Sequence, residues 1–298
     1  MDALFAKFGN KVKENVSLAP YTSARIGGPA DYLITAHTSD ELAEIMVTIW
    51  QEHLPYLILG GGSNVLVGDR GVRGVTVLNR AKAVRFEDGS QPRVWVESGV
   101  VFSNLANRCA AKGLSGLEWA ATVPGTIGGA VYGNAGAFGG DIAGNLIWTE
   151  LLTEASRERW SVEEMAYGYR TSVLKRGESK AIVLSAELSL KNATKEEVSA
   201  KIGQFSERRK STQPPGASMG SMFKNPEGDY AGRLIEAAGL KGTRIGSAEI
   251  STVHGNFFVN DGTTKAADVR ALIELAQKTV REKFGVVLEL EVELVGEW

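Results

Sequence analysis

Three kinds of group, far apart in this 298-residue chain, are each of a type that could do chemistry: the hydroxyl of Ser221, the guanidinium of Arg170 and the carboxylates near the end of the chain. Ser221 sits in Gly220-Ser221-Met222-Phe223-Lys224-Asn225-Pro226, which sets a hydroxyl, an ammonium and an amide a few residues apart in apolar company. Such a loop can serve as a cap, or its serine can donate a proton. No Gly-x-Ser-x-Gly elbow surrounds Ser221 and no histidine is near it in sequence, so serine-hydrolase chemistry has little support. A serine donates a proton poorly unless a cation or a water relay stabilises the alkoxide left behind. Arg170, in Tyr169-Arg170-Thr171-Ser172, can clamp a carboxylate or hold developing negative charge through two parallel hydrogen bonds, or lie on the surface as most arginines do.

The segment 288–294 alternates strictly, with Leu288, Leu290, Val292 and Leu294 on one face and Glu289, Glu291 and Glu293 on the other. It predicts a strand whose successive glutamates stand roughly 6.6 Å apart. That is a solvated edge that discourages aggregation, unless another element encloses one of the carboxylates.

Two glycine clusters must position something else. Trp119 to Gly140 reads WAATVPGTIGGAVYGNAGAFGG, almost without charge and with seven glycines, which is no ordinary amphipathic helix. Glycines this dense let main-chain NH groups converge on a ligand such as a pyrophosphate, or let elements cross closely. The second cluster, Gly60-Gly61-Gly62-Ser63-Asn64, follows an apolar run over 56–59 that reads as a buried strand, and it suits an anion-cradling turn. No Gly-Lys-Ser/Thr occurs anywhere in the chain, so it is not a P-loop. Val65 stands where a dinucleotide-binding fingerprint needs its third glycine, so the usual NAD fold loses support.

A hydrophobic content of 43%, a charged content of 23% and the length describe a globular chain with room for two or three domains. Its 35 glycines exceed the usual share of about 7%, and the two clusters account for much of the excess. A net charge of -2 offers no field for nucleic acid or an anionic membrane, and neither partner is expected. Arg208-Arg209-Lys210 suits the carboxyl end of a helix. Cys109 is the single cysteine and falls on a helical apolar pattern, which fits a buried thiol in a reducing compartment. The start lacks an apolar core of signal-peptide length and no run reaches membrane-span length, so a cytoplasmic protein is expected. His37, His53 and His254 are scattered, and no metal is expected.

Periodicity predicts a strand over 31–36, a helix from about residue 39, and strands over 74–78, 93–97, 146–153 and 181–190 around a helix over 102–112. Thr194-Lys195-Glu196-Glu197 reads as a capping box opening a helix to about 210 and, with the polar stretch before it, a new domain. Further helices are predicted near 229–238 and over 264–284, the latter spacing Val269, Leu272, Ile273, Ala276 and Val280 on one face.

In their order and spacing these segments resemble the UDP-N-acetylenolpyruvoylglucosamine reductase (UDP-N-acetylmuramate dehydrogenase) family, in its smaller subclass. The resemblance rests on 15–28 (NVSLAPYTSARIGG), 60–74 (GGGSNVLVGDRGVRG), 113–139, 169–172, Thr212-Gln213-Pro214, 220–226, His254-Gly255-Asn256-Phe257 and 284–296, and so covers nearly the whole chain. It implies an α+β chain: a two-subdomain FAD-binding fold of the vanillyl-alcohol-oxidase type over 1–80 and 81–192, then an α+β substrate domain over 193–298. The last strand, about 286–296, could pack near the second subdomain. No histidine or cysteine for tethering flavin covalently is obvious beside the glycine motif, so the FAD is expected to be non-covalent.

By the same resemblance Gly60, Gly61, Gly62, Ser63 and Asn64, with Thr122, Pro124, Gly125, Thr126, Gly128 and Gly129, hold the FAD pyrophosphate, and Asn134, Gly136 and Ala137 lie close to the flavin. NADPH is the co-substrate that reduces FAD and leaves, and the enolpyruvyl ether of a UDP-sugar takes its place and receives hydride. Arg170 and Glu291 stabilise the enolic intermediate and Ser221 protonates it. Glu291 is identified as the Glu of the terminal Glu-Val-x-Leu-Val-Gly, and to donate a hydrogen bond it must be protonated in a partly desolvated site. Tyr169, Lys224, Asn225, His254 and Asn256 are implied to contact substrate. Gly133 and Glu293 depart from the family pattern, which often has Met and Arg there. A monomer is expected. A flavin oxidase or 2-hydroxy-acid dehydrogenase of the same fold, and a non-catalytic sugar-nucleotide binder, are the competing readings; retention of Arg170, Ser221 and Glu291 argues against the last.

Overall fold

The computed structural model describes all 298 residues, which gather into two compact units. Unit 1 holds residues 1–12, 34–61 and 77–208; unit 2 holds 13–33, 62–76 and 209–298. The chain therefore changes unit between Val12 and Lys13, within strands Pro29–Ala36 and Val72–Asn79, after Gly61 in the triple glycine, and within helix Lys195–Thr212. The expected break at 192/193 coincides with none of these points. The capping box that suggested it does form, with Thr194 NH on Glu197 Oε2 at 3.0 Å and Glu197 NH on Thr194 Oγ1 at 3.2 Å.

Unit 1 is built on an antiparallel five-stranded sheet of order Arg157–Ser161, Leu146–Leu152, Ile182–Ser189, Arg93–Glu97, Val84–Glu87. Its middle strand buries Val183, Leu184, Ser185, Ala186, Glu187 and Leu188 in succession, as a strand covered on both faces must. Helix Phe102–Ala111 turns Phe102, Leu105, Ala106 and Cys109 into the same core, and Phe102 meets Trp119 edge to face at 5.1 Å. Burial pushes the Cys109 thiol up to about 12, so it is inert packing rather than a nucleophile. Helix Ser39–Gln51 is capped by Thr38, and Ser39 at its start donates to Glu97 Oε1 at 2.7 Å and to the Leu184 carbonyl at 2.8 Å. The glycine-rich run does contain a helix, the short Ile127–Gly133. It needs no polar side-chain face because Gly129 and Gly133 have no protein atom within 4 Å of where a Cβ would stand.

Unit 2 pairs an antiparallel sheet of order Ala217–Ser221, Phe257–Asn260, Ala248–Ile250, Arg244–Ile245 with helices Ala231–Ala237 and Ala266–Phe284. All five predicted apolar positions of the long helix are buried, at 0 to 2% exposure. Its first turn is fastened by Asp69, whose carboxylate accepts from the NH groups of Ala266 at 2.8 Å and Ala267 at 3.0 Å.

The terminal strand is shorter than its alternation predicts. Only Glu293–Val295 is a strand, paired in parallel with Val65–Val67 in unit 2. Residues 288–292 keep the alternating burial, with Leu288 and Val292 in the core. Their hydrogen bonds, however, go to a loop rather than to a continuous neighbouring strand.

Candidate functional site

In unit 1 the two glycine clusters meet. Strand Tyr56–Leu59 delivers Gly60 and Gly61 against Gly125 and Thr126, so closely that a Cβ on Gly60 would collide with Thr126 Oγ1 and one on Gly61 would lie 2.9 Å from Gly125 Cα. The 124–129 turn is pinned from below. Gly125 O accepts from Phe102 NH at 3.0 Å, Ile127 NH donates to Val100 O at 3.0 Å, and Gly128 NH donates to Ser98 O at 2.7 Å. Gly128, expected to offer its NH to a cofactor, has that NH on the Ser98 carbonyl. Gly129 faces open space, Pro124 is exposed and Thr122 half-buried. Arg80, which no sequence signal singled out, donates from Nη1 to the Gly60 carbonyl at 2.7 Å.

At the other end of the short helix, Asn134 adopts φ 47°; its amide donates to Gly168 O at 3.0 Å and accepts from Ala143 NH at 3.0 Å. Gly136 and Ala137 form a two-residue hairpin strand with Gly140 and Asp141. Arg170 has φ 56°, lies with its guanidinium 5.4 Å from the Tyr169 ring, and donates from Nη2 to Gly136 O at 2.7 Å. Arg170 and the 134–137 segment are thus neighbours, while Tyr169 is 55% exposed.

In unit 2 the rest of the second cluster begins with Gly62, at φ 59°, where a Cβ would strike Tyr21 O. Its carbonyl accepts from Ser23 NH at 2.9 Å, and the Asn64 carbonyl accepts from Glu293 NH at 3.0 Å. The NH groups of Gly61, Gly62 and Ser63 make no backbone hydrogen bond. Carbonyls tied back and NH groups left over are the arrangement of an anion nest. Within unit 2, Gly62 stands where a Cβ would block, and the unspent NH groups beside it suit an anion such as a phosphate.

Unit 2 also brings Ser221 and Glu291 together. Ser221 ends strand Ala217–Ser221 after a register shift between Ser218 and Ser221, a stretch that includes Gly220 at φ 78°, and it is half-buried. The next residue, Met222, accepts from Glu291 NH at 2.9 Å, and Lys224 NH donates to Glu289 O at 2.8 Å. Asn64 Nδ2 holds the Glu291 carbonyl at 3.0 Å, linking the end of the glycine loop to the acid. Asn256, 3% exposed, clasps Phe223 from both ends of its amide, accepting its NH at 2.9 Å and donating to its carbonyl at 2.8 Å. His254 Nδ1 accepts from Asn256 NH at 3.2 Å, and burial lowers the imidazole pKa. The polar atoms of His-Gly-Asn-Phe therefore shape the serine loop. Asn225 Oδ1 similarly accepts Ala231 NH at 3.1 Å at the start of a helix, whereas the Lys224 ammonium reaches only the exposed Glu289, at 3.4 Å.

An FAD-binding oxidoreductase is the class these features define: residues 30–159 match the FAD binding domain family, in the part of the chain where the two glycine clusters lie. Residues 211–295 match the C-terminal domain of UDP-N-acetylenolpyruvoylglucosamine reductase. The reductase of that name from Chloroflexus aggregans is 46% identical over 95% of this chain and 97% of its own, and that of Bacillus subtilis 42% identical over 96% and 94%. The crystal structure of the Thermus caldophilus reductase superposes with a TM-score of 0.81 at 39% identity, covering 95% of this chain and 98% of that one. The chain belongs to the UDP-N-acetylenolpyruvoylglucosamine reductase family. The expected α+β class, an FAD-binding fold followed by a substrate domain of this family, is the one it has. No helix is long and apolar enough to cross a membrane.

Proposed function

We propose that this chain is a cytoplasmic, monomeric enzyme that uses NADPH to reduce the enolpyruvyl ether of UDP-N-acetylglucosamine to UDP-N-acetylmuramate. The observation that carries the reading is the main-chain bond that sets Glu291 beside the Ser221 loop in unit 2. Gly60 to Asn64 and the 124–129 turn would hold the non-covalent FAD diphosphate. When bound, FAD supplies the hydride for the substrate's methylene carbon, having been reduced by NADPH.

The chain's own residues manage the charge. Hydride addition to the methylene places negative charge on the neighbouring carbon, where the carboxylate shares it as an enolate. Arg170 and a protonated Glu291 stabilise that enolate by hydrogen bonds made strongest as it forms. Ser221 O–H then gives its proton to the carbon bearing the ether oxygen, and the serine regains a proton from solvent. Lys224, the nearest cation in sequence, lowers the cost of the transient alkoxide or holds a substrate anion, with Tyr169 offering an exposed ring to the sugar nucleotide. The test follows NADPH oxidation with and without the enolpyruvyl sugar nucleotide. Oxidation that depends on the sugar nucleotide is expected; equal rates would instead favour an oxidase of the same fold, and protein that FAD cannot turn yellow would remove both.

A further inference from the structure

The seven-residue helix Ile127–Gly133 ends with carbonyls that have no partner within the helix, as every helix does. Here two of them, on successive residues, are met from a single remote turn. Val131 O accepts from Tyr167 OH at 3.0 Å, and Tyr132 O from Ser172 Oγ at 2.6 Å. The Asn134 amide reaches back to Gly168 O at 3.0 Å. Gly168 and Thr171 exchange both backbone hydrogen bonds, at 3.1 and 3.3 Å, so Tyr169 and Arg170 form a two-residue tip.

We propose that Tyr167, Ser172 and Asn134 are positioning residues for Arg170, holding its guanidinium by locking the 167–172 turn onto the carboxyl end of the glycine-rich helix. Arg170 occupies φ 56°, a conformation a side chain with a Cβ keeps only when its surroundings impose it. The three bonds flank that residue on both sides of the tip. Ser172 and Asn134 are buried, at 0 and 5% exposure, so neither bond is traded readily for water. Burial also raises the Tyr167 pKa, which keeps the hydroxyl protonated and donating. The arginine's own bond to Gly136 O closes the loop, because Gly136 lies just beyond the helix whose end the turn grips. A guanidinium that must meet a carboxylate with two parallel bonds tolerates little angular freedom. The inference rests on the role given to Arg170 above.

The test compares Tyr167→Phe, Ser172→Ala, Arg170→Ala and the double variant Tyr167→Phe/Arg170→Ala in FAD-loaded enzyme. It adds Nε–H NMR relaxation of Arg170 in FAD-free protein. Tyr167→Phe should lower kcat with the enolpyruvyl sugar nucleotide by about 10- to 100-fold, leave flavin reduction by NADPH within about twofold, and cost nothing further once Arg170 is alanine. The Arg170 Nε–H should be rigid in the wild type and mobile in Tyr167→Phe. The proposal is overturned if Arg170→Ala cripples turnover while Tyr167→Phe and Ser172→Ala match the wild type, or if the Nε–H stays equally rigid. Wild-type turnover in Arg170→Ala would instead refute the catalytic role of the arginine, with the NMR result still deciding whether the turn positions it. Should Ser172→Ala fail to fold, Tyr167→Phe, which keeps every ring carbon, carries the test alone.

Discussion

Glu291 donates its backbone NH to the carbonyl of Met222 at 2.9 Å, and Met222 follows Ser221 directly, so an acid from the last residues of the chain is held beside a hydroxyl from a distant loop. The bond is between main-chain atoms, so it fixes the two segments' register without depending on either side chain. Val292 NH reaches the same carbonyl at 3.5 Å, and Asn64 Nδ2 takes the Glu291 carbonyl, so the acid's backbone is anchored on both sides.

Ser221→Ala separates the two half-reactions. If the hydroxyl delivers the proton, flavin reduction by NADPH should proceed at the wild-type rate while turnover of the enolpyruvyl sugar nucleotide falls by about 100- to 10,000-fold, the usual worth of a general acid. Stopped-flow absorbance of the flavin reads each step. An equal slowing of both would reassign the serine to binding.

Gly129→Ala distinguishes a packing glycine from one that leaves room for a ligand. Nothing in the chain approaches its Cβ position within 4 Å, and alanine favours a helix over glycine by about 1 kcal/mol. The FAD-free protein should therefore melt at the same temperature or slightly higher, yet bind FAD more weakly. Fluorescence titration with FAD measures the second effect, and unchanged affinity would remove this turn from the cofactor site.

Much of this architecture is local and therefore legible in the sequence. The strand at 93–97 and the buried stripe of the last long helix follow from apolar periodicity alone, and so does the strand at 56–59, except that it lies at a sheet edge with Tyr56 exposed and only Leu59 buried, where a buried strand was expected. The capping box at 194–197 is a four-residue pattern with its partners inside it. What the sequence hides is pairing between remote segments. The parallel match of Val65–Val67 with Glu293–Val295 moves 62–76 into the unit of the C-terminal domain, and the alternating tail gives no sign that its bonds go to 222–224. Asn256 and His254 are substrate contacts only by family resemblance, and nothing in their local sequence says what their polar atoms bind. Only the partner, Phe223, shows that Asn256 makes a buried amide clasp.

Asn256→Ala should act through that clasp. It strips the Phe223 NH and carbonyl of their partner in a buried place, at a cost of about 1 to 3 kcal/mol for each group left unsatisfied. Urea unfolding should show a loss of about 2 to 6 kcal/mol, and turnover of the sugar nucleotide should fall as the Ser221 loop loosens. A variant that keeps full stability but loses substrate affinity would return Asn256 to the substrate-contact role.

His254 makes stability depend on pH in a definite direction. Burial, with Lys241 nearby, lowers its pKa from the ordinary 6.5, so the folded protein prefers the neutral ring that accepts the Asn256 NH. The unfolded chain binds the proton first as pH falls, and the contribution is present above about 6.5 and lost progressively as pH drops through the lower folded value. His254→Asn replaces the ring acceptor with an amide oxygen that does not titrate. Melting temperatures from pH 7.5 to 5 should therefore fall more steeply for the wild type than for His254→Asn, and parallel curves would show that the imidazole does not titrate differently on folding.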